Sequence, residues 1–183
     1  PHYRQVASAD GIMRMAREAE SMGFHSVWVS EHTVVPDDEV DRFGLGYYDP
    51  FTVLGYVAAV TQTITLGTSI IILPLRNPLH MAQVAATVDQ LSQGRLVLGV
   101  GVGSAEQEYR AMGAPWEERG AVADEVLQVL QHVWTAGRPD FEGKYFNFSG
   151  IKSYPQPAQS PHPQFWVGGG SRIADHTRHE QDF

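Results

Sequence analysis

Hydrophobic and polar positions follow two alternating periods along this chain. From Ser8 onward the apolar residues recur every three or four positions, which predicts a helix that Ser8 caps and Gly23 ends. Residues 24–30 form a short run of β-branched and aromatic side chains, typical of a buried strand. Residues 31–48 are mostly polar and include Pro and Gly, so we predict a long loop there.

The alternation of helix and strand continues along the rest of the chain. Asp49-Pro50 and Asn77-Pro78 each place a capping side chain before a proline, a pattern that opens a helix. The next predicted elements are a strand at 63–73, a strand at 95–103, a helix at 117–135, a hairpin at 141–148, a strand at 164–167 and a helix opened by the turn at 168–171. Continuous apolar strands of this kind favour a parallel sheet covered by helices, either a closed barrel or an open doubly wound sheet.

Composition and charge narrow the class of protein. The 183 residues carry 13 Lys and Arg against 21 Asp and Glu, a formal charge of −8, which argues against a nucleic-acid or anionic-membrane partner. Cysteine is absent, which excludes disulfides and thiolate chemistry and fits a cytoplasmic protein. The longest apolar runs are too short to cross a bilayer, and the histidines lack metal-ligand spacing. We expect one globular domain over residues 1–183.

Ser30 ends the first predicted strand, and His32 follows just after it. The carboxyl ends of parallel strands meet at the face where ligands bind, so both side chains are candidate site residues in either architecture. Histidine titrates near neutral pH and is the favoured side chain for proton transfer, which makes His32 the candidate acid or base. The alternative is an ordinary loop histidine that a local hydrogen bond satisfies.

Three further strand ends carry glycine and small side chains. Segment 67–70 predicts a bulge against which a planar ring could lie, or a purely structural bulge. Segment 99–104 would let a ligand contact backbone amides. It lacks the dinucleotide fingerprint, because the sixth position counted from Gly99 is Ser104, and this disfavours a nicotinamide Rossmann domain. Segment 168–171, Gly-Gly-Gly-Ser, is a candidate phosphate cradle or else a flexible turn.

Taken in order, these strings resemble one known family. The segments that carry the resemblance are 28–32 (Trp-Val-Ser-Glu-His), 66–70 (Leu-Gly-Thr-Ser-Ile), 73–78 (Leu-Pro-Leu-Arg-Asn-Pro), 94–101 (Gly-Arg-Leu-Val-Leu-Gly-Val-Gly) and 166–169 (Trp-Val-Gly-Gly). They are similar to the corresponding segments of the luciferase-like monooxygenase superfamily. Their residues most resemble those of members that use coenzyme F420, a deazaflavin. The resemblance implies a (β/α)₈ TIM-type barrel that binds a flavin or deazaflavin at its carboxyl face.

The resemblance also implies roles for individual residues. His32 matches the family histidine near the reactive edge of the ring, and Ser69–Ile70 matches a non-prolyl cis peptide that supports the ring. Ser104 stands where the sugar-phosphate dehydrogenase branch has a catalytic glutamate, so that activity is not expected. The implied cofactor-binding residues are Ser30, His32, Thr68, Ser69, Ile70, Gly101, Val102, Gly103, Ser104, Gly168, Gly169, Gly170 and Ser171.

The resemblance implies an oxidoreductase that transfers hydride between coenzyme F420 and a small organic substrate, with His32 as proton donor. One alternative is a monooxygenase that uses reduced FMN and oxygen, and another is a shortened flavin-binding protein without catalysis. The family's first strand should precede Pro1 and three strand-helix units should follow Phe183, so we expect an excerpt or a shortened relative that dimerises. The family also suggests a homodimer. Loop 31–48 and hairpin 141–148 are expected to shape the substrate pocket.

Overall fold

The computed structural model of the protein describes residues 8–137 and 139–169. Its helices are α1 (Ala9–Ser21), α2 (Val40–Phe43), α3 (Pro50–Ala58), α4 (Pro78–Leu91), α5 (Glu106–Met112) and α6 (Arg119–Thr135). Its strands are β1 (Ser26–Val29), β2 (Thr65–Thr68), β3 (Ile71–Ile72), β4 (Leu96–Gly101), β5 (Phe141–Glu142), β6 (Asn147–Phe148) and β7 (Gln164–Val167). Helices thus separate β1, the β2–β3 segment, β4 and β7 along the described part of the chain, as the periodicity predicts.

The order of the strands in the sheet decides between the two predicted architectures. β1 pairs with β2, β2 with β4 and β4 with β7, and each of these pairs is parallel. β3 pairs with β4 beyond β2, so β2 and β3 are two parts of one strand position. The strand positions therefore follow the chain order, whereas a doubly wound sheet reverses its order at a switch point. This is the winding of a TIM-type barrel, of which the described residues form an open part.

The predicted helix caps are present as hydrogen bonds. Ser8 Oγ accepts from the Gly11 amide at 3.0 Å, and Asp49 Oδ1 accepts from the Thr52 amide at 2.8 Å. Asn77 accepts from two amides at the start of α4. Each cap satisfies amides that the first helical turn leaves without an intrahelical partner. The local sequence therefore determines where these three helices begin.

Three local predictions need correction. The strand predicted at 63–73 is interrupted, because the chain bends at residues 69 and 70 and enters a 3-10 turn (Leu73–Leu75) after β3. The loop predicted at 31–48 contains α2. The sequence pattern does not predict α5, which is seven residues long and has an N-cap, Ala105, without a capping hydrogen bond. The helix predicted to open from the turn at 168–171 lies outside the described residues.

Buried apolar side chains join the helices to one face of the sheet. The strands contribute Leu66, Ile71, Leu96, Leu98 and Val100 to this core. Residues of α1, α3, α4 and α6 belong to the same cluster. Burying a side chain of this size stabilises the fold by about 1.5–3 kcal/mol. The helices therefore hold the strands in place and leave the strand ends for other contacts.

The opposite face of the sheet carries two neighbouring tryptophans, one of which packs against a glycine. The Trp28 ring in β1 crosses Gly67 in β2, because a Cβ on Gly67 would lie 2.1 Å from the ring. The Trp166 ring in β7 has its centroid 5.0 Å from that of Trp28. In a TIM-type barrel this face is the interior. Glycine at position 67 therefore makes room for a large interior side chain.

Glu20, near the end of α1, binds the segment that leads into β2. Its carboxylate accepts from the amides of Gln62, Thr63 and Ile64 at 2.6–3.1 Å. The hydrogen bonds from Thr63 and Ile64 lower the pKa of Glu20 to about 2. The folded state therefore holds this proton less tightly than the unfolded chain does. The interaction stabilises the fold above about pH 4.5 and is lost as the pH falls to about 2.

We expect Glu20→Gln to lower the free energy of unfolding by about 1 kcal/mol at neutral pH, a modest value because solvent screens this half-exposed carboxylate. The difference from the wild type should shrink below about pH 4, as the wild-type carboxylate becomes protonated. Urea unfolding over this pH range measures both effects. Glu18→Gln, at an exposed position of the same helix, is the control. Equal losses in the two variants would contradict the prediction.

Candidate active site

Four strand ends meet at one edge of the sheet. β1, β2, β4 and β7 are parallel, so their carboxyl ends lead into the four segments that the sequence singles out. Ile70 connects three of these segments. Its side chain would lie 3.3 Å from a Cβ on Gly101 and 2.8 Å from a Cβ on Gly168. The fold therefore brings together three residues that the resemblance assigns to cofactor binding.

The segment at Ser69 and Ile70 departs from a regular strand. Its peptide bond is cis, as the family resemblance implies. The Ser69 amide donates to the Val29 carbonyl at 2.6 Å, which ties this segment to the end of β1. Ser69 is exposed and Ile70 is half-buried. Both residues thus lie next to the strand end that leads to Ser30 and His32.

The other predicted cofactor residues of β2 and β4 have different surroundings. Thr68 is fully buried, and its hydroxyl donates to the Gly99 carbonyl at 2.8 Å, so this side chain links two strands. Val102 and Gly103 are half-buried, and Ser104 is exposed. A cofactor contact at each of these residues stays a prediction, and the buried position of Thr68 favours a structural role for its hydroxyl.

The two outer strands, β1 and β7, carry the remaining predicted residues. Ser30 lines an apolar cavity of about 270 Å³ between α1, α3 and β1. Gly168 and Gly169 are exposed, and Gly169 has a φ of 140°, a conformation that side chains disfavour. Gly170 and Ser171 lie outside the described residues. The exposed glycine backbone is compatible with the predicted anion-binding turn.

His32 is held by a buried glutamate and two aromatic rings. Its Nδ1 lies 2.8 Å from Glu108 Oε2 in α5. The imidazole centroid is 4.5 Å from the Phe43 ring and 4.9 Å from the Tyr47 ring. The His32 side chain keeps 12% of its surface exposed. This histidine therefore has a fixed orientation but remains accessible, which a proton-transfer group requires.

Glu108 is a site residue that the sequence analysis does not identify. It lies 76 positions from His32 in the chain, on a helix without an N-cap signal. Its side chain is 1% exposed. A glutamate on a short helix is usually a solvent-facing residue, so no local pattern distinguishes it. Only the folded structure brings α5 and the loop after β1 side by side, which creates this contact.

Glu31 is a second buried carboxylate beside the site. It accepts from the Ile72 amide at 2.6 Å and from Arg76 Nε at 2.7 Å, and Arg76 Nη2 also binds Asp49 at 2.8 Å. Burial opposes ionisation of Asp49, but the hydrogen bonds from Arg76 and Thr52 outweigh it and lower the pKa of Asp49. Glu31 thus connects the loop that carries His32 with β3 and with the start of α3.

The described residues exclude two other kinds of site. Among them, no cluster of three or more His, Asp or Glu side chains could hold a metal ion. In the same part of the chain, no helix has the length and apolar character needed to cross a membrane.

A parallel barrel-type sheet with its candidate site at the carboxyl ends of the strands defines an α/β-barrel enzyme class. A family model described as luciferase-like monooxygenase matches residues 1–175. The chain belongs to this family, which confirms the resemblance inferred from the sequence strings.

Similar proteins use deazaflavin or flavin. The F420-dependent glucose-6-phosphate dehydrogenase of Amycolatopsis mediterranei is 34% identical over 169 residues, covering 89% of this chain and 49% of the relative. The oxygenase component of the flavin-dependent trigonelline monooxygenase of Acinetobacter baylyi is 28% identical over 165 residues, covering 86% and 42%. A crystal structure of a monooxygenase from Streptomyces bottropensis has a TM-score of 0.79 and 30% identity, covering 88% and 49%. The chain spans about half the length of the curated relatives it matches.

Proposed function

We propose that this chain is part of an oxidoreductase that transfers hydride between coenzyme F420 and a small organic substrate. The observation that carries the proposal is the buried contact between His32 and Glu108. It holds an imidazole in a fixed orientation beside the strand ends, where parallel barrels bind their ligands. The similarity to an F420-dependent dehydrogenase supports the choice of coenzyme.

The described residues fit a flat ring that carries a phosphate. The Ile70 side chain lies over Gly101 and Gly168, and a Cβ at either glycine would crowd this side chain. The two glycines therefore leave the surface at the strand ends free of protruding side chains. Gly168 and Gly169 expose backbone that can face an anion. The predicted turn continues through the next two residues. When bound, the coenzyme supplies the hydride chemistry, and the chain supplies binding and orientation.

His32 is the proposed proton donor. Hydride addition to an electrophilic carbon of the substrate requires a proton at the neighbouring atom. A positioned histidine in its protonated form can deliver that proton and become neutral imidazole. Phe43 and Tyr47 flank the imidazole and restrict the water around it. Both aromatic residues belong to loop 31–48, which supports the proposal that this loop shapes the substrate pocket. A small-molecule substrate follows from the enzyme family.

A second candidate is a monooxygenase that uses reduced FMN and oxygen. The similarity to the flavin-dependent trigonelline monooxygenase component and to the Streptomyces bottropensis monooxygenase supports a flavin-dependent monooxygenase as this second candidate. Both cofactors carry a phosphate, so direct titration distinguishes them. A shortened, non-catalytic flavin-binding protein would bind a cofactor without turnover. The homodimer and the cytoplasmic location stay predictions from the sequence.

The test is a titration of the purified protein with coenzyme F420 and with FMN, followed by absorbance. We expect the coenzyme F420 Kd to be lower by about tenfold or more, equivalent to about 1.4 kcal/mol. Ser171→Asp should weaken binding by about tenfold, because it places a negative charge beside the phosphate. Ser149→Asp, at an exposed position, is the control. Binding of FMN alone, or unchanged binding after Ser171→Asp, would argue against the proposal.

A further inference from the structure

Glu108 divides its two carboxylate oxygens between a side chain and the backbone. Oε2 lies 2.8 Å from His32 Nδ1. Oε1 accepts from the Thr33 amide at 2.7 Å and from the Val34 amide at 3.4 Å. The glutamate side chain is 1% exposed, so water competes little for either oxygen. All three contacts fall on the first residues of the loop after β1.

A carboxylate can only accept hydrogen bonds, so it selects one form of the imidazole. Neutral imidazole carries one hydrogen, on either Nδ1 or Nε2. Because His32 Nδ1 faces Glu108 Oε2, the hydrogen belongs on Nδ1. The lone pair is then on Nε2, which becomes the nitrogen that takes up and releases a proton.

The helix that carries Glu108 is itself anchored to the candidate site. The next residue, Tyr109, donates its hydroxyl hydrogen to the Val102 carbonyl. Burial raises the pKa of Tyr109, so the hydroxyl keeps this hydrogen. The Tyr109 ring also packs edge-on against Trp116, with centroids 5.2 Å apart. Two consecutive residues of α5 thus bind the histidine loop and the end of β4.

From this geometry we infer that Glu108 is a positioning residue for His32. It keeps the hydrogen on Nδ1, orients the ring, and leaves Nε2 as the nitrogen that exchanges a proton with the substrate. The kinetic consequence of this inference, slower proton transfer when Glu108 is replaced, rests on the proposed function. Its structural consequence, the position of the hydrogen, can be measured in the resting protein without any substrate.

Glu108→Gln tests the inference with almost no change in shape. The backbone amides of Thr33 and Val34 can only donate, so the glutamine oxygen should turn toward them. The glutamine NH₂ group then faces His32 Nδ1, which must become an acceptor. The hydrogen moves to Nε2, where it blocks proton uptake. The substitution should therefore invert the tautomer.

The readout is ¹⁵N NMR of protein labelled at histidine, with the His32 signals assigned from the spectrum of His32→Asn. The chain has eight histidines, so this assignment step is needed. The spectra are recorded at a pH where the His32 ring is neutral. We expect the wild type to carry hydrogen on Nδ1, Glu108→Gln to carry it on Nε2, and Glu106→Gln to match the wild type. Glu106 is on the same helix and pairs with Arg110 at its surface. For the neutral ring, hydrogen on Nε2 instead of Nδ1 in the wild type, or the wild-type tautomer in folded Glu108→Gln, overturns the inference.

The wild-type spectrum keeps the test decisive even when Glu108→Gln does not fold, because it requires no variant of Glu108. Kinetics provide the second readout. Glu108→Gln should lower kcat by about 10²-fold and change the substrate KM much less, since the loss is in proton transfer. A Glu108→Gln kcat equal to that of the wild type overturns the kinetic part. If His32→Asn keeps wild-type activity, the proposed function fails while the NMR result stands independently.

Discussion

We expect the replacement of His32 by asparagine to lower kcat by about 10²–10⁴-fold, the usual contribution of a general acid or base. The asparagine amide can still donate to Glu108 Oε2, as Nδ1 does in the wild type. The loop after β1 should therefore keep its structure while the second nitrogen is lost. The Kd for coenzyme F420 should rise by about tenfold at most, because one neutral hydrogen bond contributes about 1 kcal/mol. Steady-state kinetics and cofactor titration measure the two effects.

His80→Asn is the matched control for this experiment. His80 is exposed on α4 and receives no role in the site. Its replacement should leave both kcat and Kd at wild-type values. A His32→Asn enzyme with wild-type kcat would remove the proton-transfer role from His32. A tenfold or larger rise in Kd together with unchanged kcat would instead assign His32 to cofactor binding alone.

Replacing Gly99 with alanine destabilises the fold by about 3 kcal/mol or more, the range of a severe clash in a buried strand. A Cβ at this position would lie 1.8 Å from the Thr68 carbonyl oxygen. That oxygen is backbone in β2, and the Thr68 hydroxyl also donates to the Gly99 carbonyl, so neither strand can move away freely. Urea unfolding gives the loss as a lower midpoint. A midpoint equal to that of the wild type would contradict this reading of the sheet.

Gly55→Ala is the same type of substitution, but it should raise the stability of the protein and not lower it. Gly55 lies within α3, and a Cβ there would meet nothing within 4 Å. Alanine should stabilise this helix by about 0.5–1 kcal/mol, because glycine loses more backbone freedom on folding. The two variants together separate a general effect of glycine replacement from the close approach of β2 and β4.

Buried carboxylates have a common role in this chain. Asp89 accepts from the Ala158 and Gln159 amides at 2.8 and 2.9 Å, and Glu125 accepts from three consecutive amides of the hairpin. Glu108 binds the loop after β1 in the same way. These acidic residues therefore hold loops against helices. Part of the negative charge of the chain is explained by this internal role rather than by a charged partner.

Much of the fold could be predicted because its signals are local. The caps at Ser8, Asp49 and Asn77 depend on side chains that reach amides two or three residues away. The apolar runs that became β1, β4 and β7 are continuous along the chain, and periodicity identifies them directly. The cis bond at Ser69–Ile70 followed from the family resemblance rather than from any local energetic signal.

The amino-acid sequence by itself determined most of the longer helices and strands, their order, the family and His32 as the candidate acid or base. Only the tertiary structure decided that the strand positions follow the chain order and that the Thr68 hydroxyl donates to the Gly99 carbonyl in β4. It also decided that Glu108 binds His32, which lies 76 positions away in the chain. The physical reason is the distance along the chain between the interacting residues. Caps and periodicity depend on neighbours in the chain, whereas the Glu108 contact is selective only because folding excludes water from around the carboxylate and brings two distant segments together.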